Sequence, residues 1–402
     1  MTVAEVNPQA NTMPQPIALT ALFLKFLRFG ALAFGGPVAQ IAMLRQALVE
    51  EERWIDKARF NRLLAVLQVL PGPEAHELCV HMGMIARGRI GGVLAGIGFM
   101  LPGLLLMLFA GWAYVAWVAG RAGWSGVLLG VQIVVLAIIL RSVIRIGQHI
   151  IENKVLGVVA VASLGATLLG APFWIPLLAG GLAYALAHRP NLAALVVLAA
   201  VAAAATAHFL LGRDNIETAG VLAGPGAGAL FLAGLKGGLL TFGGAYTAIP
   251  YVRADTVGRG WISDAAFLDG IALAGVLPAP LVIFATFVGY IAGGLSGALA
   301  ITAGMFLPAF AFSLLLFERL EAVIEWSALH RVLEGVAAAV VGVIAATFVH
   351  LGQATWSAAP GYAIPIAMFV AALLAAWRLR GTWVTPAIIG AGALMGRLLL
   401  SA

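Results

Sequence analysis

The sequence has little charge and almost no cysteine. Asp, Glu, Lys and Arg make up 10% of its 402 residues, whereas hydrophobic residues make up 62%. Soluble domains carry about 25% charged residues, so a soluble globular fold is excluded. The single cysteine, Cys79, excludes an internal disulfide and offers no metal-ligand spacing. The sequence also shows no nucleotide-binding loop and no Ser-His-Asp signature, so neither a cofactor nor an enzyme is expected.

Apolar runs of membrane-spanning length recur along the whole chain, and the mean hydropathy is +1.03. This pattern predicts an all-α polytopic membrane protein. The net charge of +6 is no sign of nucleic-acid binding, because Lys and Arg in such a protein mainly set the topology. We expect about thirteen spans, near 17–44, 63–86, 91–118, 124–147, 154–170, 173–188, 191–211, 228–251, 266–293, 295–317, 330–351, 361–377 and 383–400.

Polar segments mark the predicted domain boundaries. Residues 1–16 lack a basic region followed by a short apolar core, so we expect a disordered cytoplasmic tail rather than a signal peptide. The Gly- and Pro-containing segment 212–227 is the predicted linker between a first transporter repeat, 17–211, and a second, 228–402.

Two stretches rich in glycine and proline resemble each other at an offset of 206–208 residues. The resemblance continues at Gly88 and Gly294 and at Pro102 and Pro308. Paired, interrupted apolar segments indicate the binding site of a secondary transporter. The main matched positions are Arg28 with Lys236, Phe34-Gly35-Gly36 with Phe242-Gly243-Gly244, and Pro71-Gly72-Pro73 with Pro278-Ala279-Pro280.

Seven candidate spans precede the second stretch, so the two repeats are predicted to have opposite orientations. The stretch 45–62 carries five basic residues on the predicted outer side, which contradicts the rule that basic loops are cytoplasmic unless 17–44 is a re-entrant element; both alternatives stay open. One set of alternate loops holds most of the basic residues and should be cytoplasmic. This set contains Arg87, Arg89, Arg141, Arg145, Lys154, Arg189, Arg253, Arg259, Arg319, Arg331, Arg378 and Arg380.

Cations inside the first apolar segments are candidates for an anion site. Arg28 and Lys236 would bring two positive charges to one oxyanion, because guanidinium donors bind two oxygens at once. Alternatively they extend to the membrane interface, as is expected of Arg45 and Arg253. Lys25 has the same two interpretations.

Helix breaks provide the second part of the predicted site. Phe34-Gly35-Gly36-Pro37 and Phe242-Gly243-Gly244 would expose backbone N–H groups to a ligand, unless they only kink or pack their helices. In Pro71-Gly72-Pro73-Glu74, the carboxyl group either couples proton movement to anion movement or only complements a helix dipole. Glu77 is a second candidate for proton coupling. His76 and His81 are more readily explained as polar packing.

These motifs resemble the chromate ion transporter family in its two-domain form. The resemblance covers roughly 20–400. The second copy departs from the motif, with Ala279 and Leu281 in place of the glycine and the acid. The residues that carry the resemblance are Phe34-Gly35-Gly36-Pro37 with Gln40, Trp54, Leu70-Pro71-Gly72-Pro73-Glu74-Ala75, the glycines of 88–92 and Leu101-Pro102-Gly103.

The resemblance implies export of chromate from the cytoplasm across a bacterial inner membrane, and hence chromate resistance. It also implies sulfate as a competing anion, a substrate site that includes Gln40, and two halves of opposite orientation. Uptake of sulfate or another oxyanion is the alternative function. A lipid-modifying enzyme using Glu74, His76 and Glu77 is a third. The expected partners are chromate, the lipid bilayer and, by base rate only, a second copy in a homodimer.

Overall fold

The computed structural model describes residues 17–34, 36–67, 70, 72–211, 224–241, 245–316, 327–379 and 381–400. These residues form helices joined by short turns and contain no strand. The prediction of an all-α protein is therefore confirmed for this part of the chain. The predicted tail 1–16 and most of the predicted linker lie outside the described residues.

The helices of the first half begin and end as follows: α1 Leu19–Ala31, α2 Gly36–Arg45, α3 Lys57–Leu67, α4 Glu74–Ala113, α5 Ser125–Ile150, α6 Lys154–Leu168, α7 Trp174–Ala185 and α8 Pro190–Leu211. Those of the second half are α9 Ala227–Leu239, α10 Ile249–Thr256, α11 Asp264–Val276, α12 Phe284–Leu316, α13 Ser327–Ser357, α14 Ala363–Arg378 and α15 Val384–Leu399. Short π-helices, Gln46–Glu51 and Tyr114–Val118, extend α2 and α4. Short 3-10 helices occupy Ala122–Trp124, Ala245–Ala248 and Leu281–Ile283.

Four helical stretches of the described chain are long and apolar enough to cross a membrane: Glu74–Val118, Ser125–Ile150, Leu281–Leu315 and Arg331–Ser357. Six shorter apolar helices accompany them. The predicted count of about thirteen spans is not settled by these lengths and stays a prediction.

Large apolar side chains cover the outer surface of both halves. Leu24, Phe109, Val161, Leu315 and Leu398 are each more than half exposed. Exposed apolar area of this extent is unfavourable in water and favourable against lipid tails. Together with the long apolar helices, it indicates an integral membrane protein.

The first candidate span, 17–44, is not one continuous helix. α1 ends at Ala31 and α2 begins at Gly36, whose φ of 81° is readily adopted only by glycine. A helix of 13 residues, as α1 is, measures about 20 Å, against about 30 Å for the hydrocarbon core. The candidate span at the matching place in the second half, 228–251, is likewise divided between α9, a 3-10 turn and α10.

α4 and α12 are both sharply bent at matching positions. The backbone leaves the helical region at Arg87 and Gly88 (φ 60°, ψ −157°) and again at Gly293 and Gly294 (φ 62°, ψ −154°). A methyl group on Gly83 would lie 2.4 Å from the carbonyl oxygen of Gly91. Residues eight apart on a straight helix are separated by about 12 Å, so the chain has reversed its direction. Each bent helix is therefore a tight helical hairpin.

The two halves are interleaved rather than side by side. α5 of the first half packs mainly against α14 and α15 of the second, whereas α13 packs against α6 and α7. Glycines permit these close approaches: a methyl group on Gly130 would lie 2.2 Å from the Gly392 carbonyl oxygen, and one on Gly335 would lie 2.4 Å from that of Gly180. The hairpins α4 and α12 also pack on each other, so one core contains both halves.

Candidate functional site

A cavity of about 480 Å³ lies where the helix breaks of the two halves meet. Gly36, Pro37 and Glu74 line it from the first half. Tyr246 and Ala279 line it from the second half, next to the predicted motifs Phe242–Gly244 and Pro278–Pro280. The structure thus places three of the predicted site residues, Gly36, Pro37 and Glu74, around one space. Phe242, Gly243, Gly244, Gly35 and Pro71 lie outside the described residues.

The α5 helix contributes the basic residues of the cavity. Arg141, Arg145 and His149 are spaced by four residues and therefore share one face of α5, and all three line the cavity together with Ser142. Sequence analysis assigned both arginines to cytoplasmic loops. The loop position is wrong, because α5 continues to Ile150 and both residues lie within it. Their place on the cytoplasmic side stays a prediction.

Arg141 and Arg145 are functional candidates that sequence analysis missed. Their signal was present: two arginines one helical turn apart inside a long apolar helix. The loop assignment hid it, because a basic residue at the end of a span is ordinarily explained by topology alone.

The cations that were predicted to bind the anion lie elsewhere. Arg28 is exposed on α1 and does not line the cavity. The Lys236 ammonium forms an ion pair with Asp255, at 2.7 Å from Oδ2, and lies 4.2 Å from the centre of the Phe173 ring. Lys25 forms an ion pair with Glu52. Neither Arg28 nor Lys236 lines this cavity. Substrate binding by these two residues stays a prediction.

Gln40 connects the breaks of the two halves. Its side chain is buried, and its amide nitrogen donates hydrogen bonds to the carbonyl oxygens of Ala33 at 2.9 Å and Ala279 at 3.0 Å. The first acceptor precedes Phe34, and the second belongs to the Leu-Pro-Ala-Pro segment. Gln40 thus holds the two breaks in a fixed arrangement beside the cavity.

Gly72 and Phe34 make two further contacts between the halves. The backbone N–H of Gly72 donates a hydrogen bond of 2.8 Å to the carbonyl oxygen of Thr241, the residue before Phe242. The Phe34 ring stacks on Trp383, with ring centres 5.3 Å apart. Pro73 lies immediately before the first residue of α4. The predicted motifs therefore come together, although they do so partly through backbone contacts rather than by facing the cavity.

The two predicted coupling carboxylates occupy different surroundings at the start of α4. Glu74 lines the cavity, whereas Glu77 is completely buried. Neither carboxylate oxygen of Glu77 has a hydrogen-bond partner among the described residues. The Glu77 side chain lies against Gly72, where an added methyl group would be 2.3 Å from Oε1. Gly72 also has a φ of 150°, which residues with a side chain rarely adopt, so a substitution there would be strained. Glu77 contacts the Pro-Gly-Pro break directly.

His76 is packed rather than placed in the cavity. Its Nε2 lies 3.2 Å from the carbonyl oxygen of Gly96, and its ring is edge-on to Phe306 and Phe310. The arrangement agrees with the prediction that His76 is a polar packing residue. Glu74 lines the cavity and His76 does not, so the two side chains do not share that space as an acid–base cluster.

The apolar surface, the paired helix breaks and the cavity lined by both halves together define the chain as an integral membrane protein with room for a small solute. The family model described as "Chromate transporter" matches residues 20–203 and 228–397. The chain belongs to this family.

Several relatives are named as transport proteins. A chromate transport protein of Pseudomonas aeruginosa is 55% identical over 92% of this chain and 90% of its own length. A chromate transport protein of Cupriavidus metallidurans is 30% identical over 83% of each chain. An uncharacterized transporter of Methanocaldococcus jannaschii is 29% identical over 73% of this chain and 74% of its own length. No solved structure matches the chain significantly.

Proposed function

We propose that the protein exports chromate from the cytoplasm across a bacterial inner membrane and thereby confers chromate resistance. Membership of the chromate transporter family supports this proposal, as do the names of the relatives in Pseudomonas aeruginosa and Cupriavidus metallidurans. A membrane potential that is negative inside favours expulsion of an anion by about 2.3 kcal/mol per charge per 100 mV. Export of a dianion therefore has a driving force even before any ion is coupled to it.

The observation that carries the proposal is the cavity with two guanidinium groups. Arg141 and Arg145 lie one turn apart on α5 and face a space of about 480 Å³, within the usual range of about 300–1,000 Å³ for small-molecule sites. Chromate is a tetrahedral dianion, and forked guanidinium donors bind two of its oxygens at once. Sulfate has the same charge and shape, so we expect it to compete.

The helix breaks complete the proposed site. Gly36 and Pro37 bring backbone to the cavity wall, and Glu74 brings a carboxyl group to the same space. A carboxylate beside a dianion is repelled, so the protonation state of Glu74 would set the affinity of the cavity for the anion. Glu77 is the second proposed coupling residue. Gln40, Phe34, Gly72 and Pro73, with the predicted residues Gly35, Pro71, Phe242, Gly243 and Gly244, would position these groups.

We further propose alternating access between two inverted repeats, 17–211 and 228–402. The same glycine-dependent bend in α4 and α12 supports an internal repeat, because the two bends are 206 residues apart and differ by only a few degrees. Discontinuous helices at equivalent places around one cavity are typical of transporters that work in this way. The interleaved packing of α5 and α13 gives each half a helix that contacts the other.

Chromate accumulation in intact cells tests the proposed direction. Cells expressing the chain should accumulate less chromate than vector controls, and excess external sulfate should not abolish that difference. Higher accumulation than in the controls, suppressed by sulfate, would identify an uptake system for sulfate-like anions and would overturn the proposal. Flux of chromate into liposomes of the purified protein, without any chemical product, would exclude the lipid-modifying enzyme.

A further inference from the structure

A buried carboxyl group lies at the junction of the two halves, outside the anion cavity. Asp269 on α11 is 3% exposed. Its Oδ2 accepts a hydrogen bond of 2.8 Å from the hydroxyl group of Tyr114, at the end of the α4 hairpin. Its Oδ1 accepts a hydrogen bond of 3.0 Å from the amide nitrogen of Gln132 on α5. The carboxyl group belongs to the second half and both donors belong to the first, so this cluster joins the halves.

Among the described residues, no basic side chain forms an ion pair with Asp269. Asp264, five residues earlier on α11, forms its own ion pair with Arg253. On the helices packed against α11, Arg141, Arg145 and Glu334 line the anion cavity, and His350 lies beside the Arg253–Asp264 pair. The α12 residues next to α11 include Phe284 and Phe287, and those of α15 include Thr385 and Ile389.

The cluster can satisfy the carboxyl group of Asp269 in both protonation states. The ionised form accepts hydrogen bonds from Tyr114 and Gln132, as the structure shows. The protonated form can donate to the amide oxygen of Gln132 once that amide rotates, because an amide carries both a donor and an acceptor. A divalent cation would need about six oxygen ligands, which this cluster does not provide. A proton needs only the carboxyl oxygens and a hydrogen-bond partner in each protonation state, and the cluster provides both.

The cluster is separated from the anion cavity but built on the same helices. Gln132 and Arg141 are nine residues apart on α5, which is about 14 Å along the helix axis. Asp269 and the cavity residue Ala274 are five residues apart on α11, or about 8 Å. A change in the relative position of the two halves would move the donors away from the acceptor and would also reshape the cavity.

We propose that Asp269, held by Tyr114 and Gln132, is a proton-binding site that couples proton movement to anion movement from outside the anion cavity. The proposal rests on the transport function proposed above. Two ligands are coupled when both bias the same conformational equilibrium, and here that equilibrium is the arrangement of the two halves. Glu74 would control the affinity for the anion within the cavity, and Asp269 would control which arrangement is favoured.

Transport by the purified full-length protein in liposomes tests the coupling. In Asp269→Asn we expect chromate movement driven by a pH gradient to fall about tenfold or more, within the usual range of coupling between two sites. Chromate-for-chromate exchange without a gradient should stay close to that of the unchanged protein. Asp264→Asn, which removes a carboxylate from the same helix outside the cluster, should retain both activities. Unchanged gradient-driven movement in Asp269→Asn would overturn the proposal, as would loss of exchange in a correctly folded variant.

Infrared spectroscopy tests proton binding independently of chromate. On acidification, the unchanged protein should gain a carboxylic-acid C=O band that is missing in Asp269→Asn and present in Glu74→Gln. If Asp269→Asn does not fold, Tyr114→Phe serves instead: it removes a donor to the ionised form, so the band should appear about one pH unit higher. Absence of the Asp269 band, or no change in Tyr114→Phe, would refute the proton site. A band without any chromate flux would refute the transport function and leave the proton site standing.

Discussion

Arg141 and Arg145 bring positive charge to the cavity, and the transport proposal depends on them more than on other side chains. We expect Arg141→Gln and Arg145→Gln each to lower chromate export by about tenfold or more, because a charge-assisted hydrogen bond contributes about 1.5–3 kcal/mol. Chromate accumulation in cells, with the amount of protein in the membrane measured alongside, checks this expectation.

Arg89→Gln is the matched control for the two arginine variants. Arg89 is exposed at the turn of the α4 hairpin and lies outside the cavity, so its substitution should leave export within about twofold of the unchanged protein. Full export in both Arg141→Gln and Arg145→Gln would remove the charge-based argument for this cavity.

Glu74 is the titratable group that sequence and structure place beside the proposed anion. Glu74→Gln keeps the shape of the side chain but cannot exchange a proton, so we expect chromate export to be lost while the protein still inserts. Chromate accumulation in cells measures this. Glu152→Gln, an exposed glutamate near the end of α5, is the control and should export normally. Export by Glu74→Gln at the full rate would show that Glu74 only complements the helix dipole at the N-terminus of α4.

The sequence and the structure lead to different expectations for Arg28. The sequence predicts that Arg28→Ala abolishes resistance, because a cation within an apolar segment usually serves a site. In the structure Arg28 is exposed and outside the cavity, so we expect Arg28→Ala to keep most of its resistance. Growth on chromate decides between the two expectations. Loss of resistance in Arg28→Ala, with normal membrane insertion, would show that Arg28 takes part in the site.

At the scale of the helix, Gly88 and Gly294 allow α4 and α12 to reverse direction. Both adopt a backbone conformation that is essentially limited to glycine, so Gly88→Ala and Gly294→Ala should each cost about 1–3 kcal/mol of unfolding free energy. Thermal unfolding in detergent measures the loss. Gly165→Ala, in α6 with open space around it, should be neutral or stabilising by up to about 1 kcal/mol. Equal stability of all three variants would contradict the claim that the turns at Gly88 and Gly294 require glycine.

The helix breaks were predictable, but the close packing of the helical segments around them was not. Phe34–Pro37 and Pro71–Pro73 interrupt helices because proline lacks an N–H and glycine accepts unusual backbone angles, and both effects are local. The hairpin at Gly88 depends instead on the close fit of Gly83 against Gly91. Sequence analysis placed two consecutive spans here, 63–86 and 91–118, which implies a reversal between them, and the structure has that reversal at Arg87 and Gly88. The close contact of the two segments forms only when they pack, so the sequence did not show it.

At the scale of the whole molecule, neither half can complete its own packing. α5 buries much of its surface against α14 and α15, so the segment 17–211 expressed alone should be degraded and should not transport chromate. Co-expression of 17–211 with 228–402 should restore a detectable fraction of export. Protein levels and chromate accumulation in the same cells measure both effects. Export by 17–211 alone would show that the interleaved packing is dispensable.

The sequence by itself determined the all-α membrane class, the position of the breaks and the family. Each of these depends on composition or on short motifs, and such signals survive without knowledge of which helices are neighbours. The resemblance of the motifs to the chromate transporter family is confirmed by the match over 20–203 and 228–397.

Only the tertiary structure decided which charges share the cavity. Lys236 and Arg141 both lie in apolar helices, yet Lys236 is paired with Asp255 whereas Arg141 faces the cavity with Glu74. The difference arises from helix rotation and from contacts across hundreds of residues, such as Gln40 with Ala279. A cation in a membrane helix must find water, an acid or a ligand, and its spacing along the chain does not reveal which of them packing provides.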